Sequence, residues 1–217
     1  LNLNIDIEEK VIKKKLTNAL SKITKDNPTM INILIPHIED ENKDIRRNVI
    51  EALCNINETL EKESIKALIP YLKYKDKDIR MGIIMGLCKI AKDNPEITDN
   101  FIEIIKDKKQ DIHIRRDLVF ALGGISKISL KTIEFLIYLI NDKNQDIYIK
   151  RDAVSILGDN AEGNLEAINI LLSIKDKDKE IKRRVAKALG KIAKNNLQAI
   201  NALILFLEDK DIDLKCN

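Results

Sequence analysis

One phrase recurs along the whole chain: an aliphatic residue, two mostly basic residues, then apolar positions at helical spacing. It reads IKKKLTNALSKI from Ile12, IRRNVIEALCNI from Ile45 and IRMGIIMGLCKI from Ile79. It continues as IRRDLVFALGGI from Ile114, IKRDAVSILGDN from Ile149 and IKRRVAKALGKI from Ile181, and a seventh copy opens with Leu214 and Lys215. Successive starts lie 33, 34, 35, 35, 32 and 33 residues apart. A period in this range marks an array of stacked supersecondary units, because one such unit cannot bury its apolar face alone.

With the first aliphatic residue as position zero, positions 0, +4, +8 and +11 are apolar in nearly every copy; in the second they are Ile45, Val49, Leu53 and Ile56. On a helix these four fall on one stripe, which predicts burial. Positions +7 and +9 are mostly small, as in Ala52 and Cys54, Gly86 and Cys88, Ala121 and Gly123. Glycine inside a helix costs about 1 kcal/mol relative to alanine, so its recurrence implies close approach of a neighbouring helix. Asn42, Asp76, Asp111, Asp146, Asp178 and Asp211 stand three residues ahead of the phrase, where they are expected to cap the helix. Between copies lies a second amphipathic segment, such as MINILIPHI from Met30 and TIEFLIYLI from Thr132. Each unit therefore reads as helix–turn–helix. Residues 1–217 read as a single repeat domain, with second helices starting near 12, 45, 79, 114, 149 and 181 and a truncated one near 214. The unfinished copy is also what an excerpt of a longer array would leave.

Composition narrows the class further. The chain is 44% hydrophobic and 34% charged but only 4% aromatic, without Trp, so its core must be aliphatic. No apolar run approaches the roughly 20 residues needed to span a bilayer, and no secretory signal is visible. A net charge of +3 gives no bulk drive toward nucleic acid or membrane. Three cysteines, Cys54, Cys88 and Cys216, form no disulfide framework and suit a reducing, cytoplasmic setting.

The residues resemble the HEAT repeat, in particular the short variety of phycobilin-lyase-type HEAT-like proteins. The resemblance rests on L-I-P-x-[IL] in the first helix (Leu34 to Ile38, Leu68 to Leu72), the D-x-x-I-R junction and the R-x-x-V-x-x-A-L-G-x-I second helix. It implies an all-α, right-handed α-solenoid (an alpha-alpha superhelix, armadillo-like) of about six HEAT-like helical hairpins, whose second helices line the concave surface. It also implies that the basic residue at +1 pairs with an Asp of a neighbouring unit.

No motif for chemistry emerges. There is no Cys-x-x-Cys, and neither His37 nor His113 lies near a cysteine or precedes a Glu. The His-Glu pairs of HEAT-like deoxyhypusine hydroxylases are thus missing, and so are the aromatics of HEAT-like DNA glycosylases. No Gly-rich phosphate loop and no Ser/His/Asp arrangement is evident. The sequence reading is accordingly no enzyme, no cofactor, no metal and no small-molecule substrate.

One anomaly stands out on the second helices. Positions +2, +6 and +10 point away from the predicted core and are mostly polar, yet the third copy places Met81 and Met85 there and the fourth places Phe120. Exposed apolar residues on a polar face mark interaction sites, and methionine suits adaptable surfaces. The expectation is a protein-interaction scaffold that takes a protein or peptide on its concave face. Met81, Met85 and Phe120 would be the anchors, and Arg116, Arg151, Asp117 and Asp152 a charged rim. The alternative is a nucleic-acid-binding solenoid that uses the repeated Arg/Lys stripe to track phosphates.

Overall fold

The computed structural model describes residues 11, 15, 19, 29–54, 61–91, 94–125, 129–160, 162–174, 178–192 and 196–208. The chain divides into two compact units, Leu1–Asn100 and Phe101–Asn217. Helix is the only regular structure among the described residues, and the fold is an all-α solenoid of hairpins. The copy beginning at Ile12 is described only at Lys15 and Ala19, both helical. The copy at Leu214, the Asp211 cap, Ile56 and Cys216 lie outside the described residues.

In the first unit, α1 (Thr29–Leu34) runs into a 3-10 helix (Ile35–Glu39) and is followed by α2 (Lys43–Cys54). The next hairpin repeats this order with α3 (Glu61–Leu68), a 3-10 helix (Ile69–Lys73) and α4 (Lys77–Ile90). Pro36 and Pro70 sit at the start of the two 3-10 segments. A proline lacks the N–H an α-helix would use there, and the chain tightens instead. Helix α5 (Pro95–Lys106) follows. The second unit continues with α6 (Ile112–Gly124), α7 (Leu130–Asn141), α8 (Ile147–Asn160), α9 (Leu165–Ser173), α10 (Lys179–Ile192) and α11 (Leu197–Glu208).

The predicted stripe is the buried one. Ile45, Val49 and Leu53 of α2, and Ile79, Ile83 and Leu87 of α4, are all at or below 5% exposure. Ile114, Leu118 and Leu122 of α6, Ile149 and Leu157 of α8, and Ile181, Val185 and Leu189 of α10 complete the pattern in the second unit. Caps start these helices as their sequence implies. Asp76 accepts from the N–H groups of Asp78 (2.8 Å) and Ile79 (3.1 Å). Asp111 and Asp146 do the same for α6 and α8. Asp178 accepts from Ile181 N–H at 2.8 Å, and Asn42 from Asp44 N–H at 2.9 Å.

Second helices of neighbouring hairpins meet through their small residues, +9 of one against +7 of the next. A Cβ added at Gly86 would lie 2.1 Å from Cys54 Sγ, and one at Gly123 would lie 2.8 Å from Ile156. At Gly158 it would lie 2.4 Å from the Cβ and 2.6 Å from the Cα of Ala188. These glycines have a packing reason: the facing helix occupies the space a side chain would need.

The arginine at position +1 has backbone partners that the resemblance to the repeat family did not lead us to expect. It reaches back to carbonyls at the end of the first helix of its own hairpin. Arg46 Nη1 donates to the carbonyls of Asp40 (2.6 Å) and Glu41 (3.1 Å). Arg80 Nη1 does so to Tyr74 (2.6 Å) and Lys75 (3.4 Å). Arg115 Nε donates to Ile105 (2.8 Å), while its Nη2 reaches the side-chain carbonyl of the buried Gln145 at 2.7 Å. The last carbonyls of a helix lack intrahelical partners and carry partial negative charge, so they are good acceptors for a buried guanidinium. Arg80 and Arg115 are only 4% and 5% exposed.

Candidate functional site

The face formed by positions +2, +6 and +10 is open to solvent in both units. In the first, Arg47 and Glu51 of α2 are exposed. On α4, Met81 is half-buried, Met85 is 63% exposed and Lys89 is exposed. Met81 and Met85 are one turn apart, so they share a side of α4. In the second unit, α6 offers half-buried Arg116, then Phe120 at 70% exposure and Gly124, beside which a Cβ would meet open space. Helix α8 follows with Arg151 and Ser155 half-buried and Asp159 exposed; α10 presents Arg183, Lys187 and Lys191, all exposed. An uncovered phenylalanine ring is a standing incentive to bind, worth roughly 2 kcal/mol when buried.

Two of the charged residues named from sequence, Arg116 and Asp152, bind each other in the second unit, and Arg151 joins a neighbouring pair. Arg116 Nε lies 3.0 Å from Asp152 Oδ2. The Arg151 fork grips Asp178 through Nε (3.1 Å) and Nη2 (2.5 Å). Tyr148 lies against both guanidinium groups, its ring centroid 5.0 Å from Arg116 and 5.4 Å from Arg151. Arg184 closes the cluster. It lies 3.6 Å from Asp152, bonds Glu180 at 2.9 Å and the Ser155 hydroxyl at 2.9 Å, and reaches the Arg151 carbonyl at 3.2 Å. Asp117 is half-buried on α6. The Asp–Arg ladder therefore exists, but position +2 supplies its arginines and the next unit supplies the carboxylates. Its bidentate member holds Asp178 below the ordinary carboxylate range, chiefly through the hydrogen bond from Arg151, and raises Arg151 in turn.

Sequence reasoning placed Asp178 as a helix cap and Arg184 in the basic stripe, and missed that both join this cluster. A signal was available: an Arg at +2 of one copy recurs about one repeat before an acid at the start of the next. Between α8 and α10, Ser155, Asp159, Arg184, Lys187, Ala188 and Lys191 line a cleft of about 40 Å³. Asp159 forms an ion pair with Lys191 across its mouth.

Elsewhere the chemistry is quiet. Cys54 and Cys88 form no disulfide with each other, and burial pushes the two thiols up to about 12 and about 11 respectively, far from the reactive thiolate range. In the first unit Tyr74 donates its hydroxyl to Glu39, which raises the phenol, beside an open groove that also includes Arg46 and Asp76. No group of three His, Cys, Asp or Glu side chains that could hold a metal occurs among the described residues. No helix among them is long and apolar enough to cross a membrane.

Comparison with known proteins places these hairpins. Residues 31–112 match the family model described as HEAT repeats. No curated protein matches the chain in sequence. Among solved structures, the chain is similar to the Escherichia coli protein YibA at 19% identity and a TM-score of 0.51, over 87% of this chain and 68% of that one. It is also similar to an archaeal HEAT-like repeats protein from Thermococcus onnurineus NA1 (12% identity, TM-score 0.46, 85% and 80% covered). A third is human deoxyhypusine hydroxylase (16% identity, TM-score 0.42, 93% and 74% covered). That third likeness corrects the sequence reading of the chain as no enzyme. An enzyme stands among the chains of similar fold, so a HEAT-like array is no ground for denying catalysis.

Proposed function

We propose, from the premise that this chain is a HEAT-repeat protein, that it is an interaction scaffold that takes a protein or peptide on the exposed face of its second helices. Family resemblance assigns that face to the concave side. One observation carries the reading: Met85 and Phe120 stand 63% and 70% exposed at positions where the other copies carry polar or charged residues. Rigid helices present them, and in the second unit the half-buried ladder beneath holds the helices in register. Preorganised anchors of this kind bind with little ordering cost. The sparse, odd set of cysteines supports a cytoplasmic setting.

The repeated basic stripe supports the nucleic-acid alternative less well. Its +1 arginines are spent on backbone carbonyls and two of its +2 arginines on carboxylates. The test is affinity capture from the native source with the wild-type chain and with Met85→Ala/Phe120→Ala. A protein that the wild type retains and the double variant releases at least tenfold more readily supports the reading. Equal retention by both sinks it.

A further inference from the structure

Building on that reading, we propose that the partner presents an extended acidic segment that lies along α10, its alternate carboxylates on Arg183, Lys187 and Lys191. Among the five described second helices, only α10 carries a cation at each of positions +2, +6 and +10. Its sequence holds Lys179, Lys182, Arg183, Arg184, Lys187 and Lys191 against a single acid, Glu180. Glu180 is shared by Arg183 at 3.2 Å and Arg184 at 2.9 Å, so the helix remains strongly positive. The pair between Lys191 and Asp159 is about half exposed on both sides, which leaves it open to exchange with an incoming carboxylate.

Spacing selects the form of the ligand. Residues four apart on a helix rise about 6 Å. Alternate residues of an extended chain repeat at about 6.6 Å and point to one side. A segment with acids at every second position therefore matches the three cations in step, whereas adjacent acids point to opposite sides. The 40 Å³ cleft beside Lys187 adds a seat for one carboxylate, since that volume exceeds what a single water occupies and its lining offers the Ser155 hydroxyl with Arg184, Lys187 and Lys191, the last released from Asp159, which also lines the cleft. A nucleic-acid strand would fit less well. Single strands rely on aromatic platforms for their bases, and α10 itself carries no aromatic residue.

Fluorescence anisotropy on the full chain tests this with three labelled probes: a peptide of alternating Glu and Ala, a peptide of the same composition with its Glu residues contiguous, and an oligothymidylate of similar length. The alternating peptide is expected to bind best. Arg183→Gln/Lys187→Gln/Lys191→Gln should weaken it about tenfold, the sum of three exposed ion pairs. Lys187→Gln alone should weaken it measurably, with the helical circular dichroism of both variants unchanged. Equal binding of the two peptides, preference for the oligothymidylate, or indifference to the substitutions overturns the proposal. Loss of capture by Met85→Ala/Phe120→Ala without any peptide binding would leave the scaffold reading standing and remove only the acidic segment.

Discussion

The two units join their second helices at the same positions but with the bulk reversed. In the first unit a thiol at +9, Cys54, fills the space left by a glycine at +7, Gly86. In the second the glycine is at +9, as Gly123 and Gly158, and the larger partner at +7, as Ile156 and Ala188. The seams around them differ too. Lys43 and Asp78 pair at 2.5 Å with both side chains mostly exposed, whereas Arg116, Asp152, Arg151 and Asp178 of the second unit are half-buried and interlinked. In the first unit, α1 and α3 pass into a 3-10 helix at their Leu-Ile-Pro sequences; α7 and α9 of the second unit carry no proline and run as single α-helices. Close approach thus depends on the combined volume of a facing pair, and neither residue of the pair is individually required.

The largest effect is expected where a backbone atom, which cannot turn aside, meets the added group. Gly158→Ala places a methyl 2.6 Å from Ala188 Cα, so α8 and α10 must separate. Overpacking of this kind costs about 1–3 kcal/mol, against which better helix propensity returns about 1 kcal/mol. Because the clash is with backbone, the cost falls at the upper end of that range, and a net loss of about 2 kcal/mol in urea unfolding is expected. An unchanged midpoint would mean that the helices are not in contact at this point.

A smaller effect, and one aimed at the reversal itself, comes from exchanging the bulk in the first unit. Gly86→Ala alone should cost about 1–2 kcal/mol, because its methyl overlaps the Cys54 sulfur. Combined with Cys54→Gly, it recreates the glycine–alanine pair of Gly158 and Ala188. The double variant should recover most of the loss, a coupling of at least about 1 kcal/mol in a double-mutant cycle. Simple additivity of the two changes would show that the facing pair does not share one volume.

How much of this was readable beforehand follows the same physics. Periodic features were legible: the Ile45–Val49–Leu53 stripe, the Asp76 and Asp111 caps and the small residues at +7 and +9 each depend on local helix geometry. Features that depend on where a long side chain reaches were not. Arg46, Arg80 and Arg115 share a sequence position that family resemblance assigned to an Asp, yet flexible stems carry their heads to carbonyls of the preceding helix. Exposure of Met85 and Phe120 was foreshadowed by helical angle. The engagement of Arg116 and Arg151 with Asp152, Asp178 and Tyr148 was not, because it needs the offset between neighbouring helices, which no single repeat encodes.

The smallest effect concerns acid, and it separates the two seams by their environment. Arg151 lowers the pKa of Asp178, and Lys43 lowers that of Asp78, in each case chiefly by a hydrogen bond to the carboxylate. A carboxyl held lower in the folded chain than in the unfolded one favours folding whenever it is ionised. Its contribution is complete above the unfolded value near pH 4 and fades as pH falls through the folded value. Stability from urea unfolding should therefore decline from pH 4 downward. Arg151→Gln should lower stability at pH 7 by up to about 1 kcal/mol and flatten the acid limb. Lys43→Gln should flatten it less, and 0.5 M salt should erase that difference first, since salt screens an exposed pair more than a half-buried fork. If salt removed both contributions equally, the second seam would be no better shielded than the first, and the contrast between the two units would reduce to their glycines.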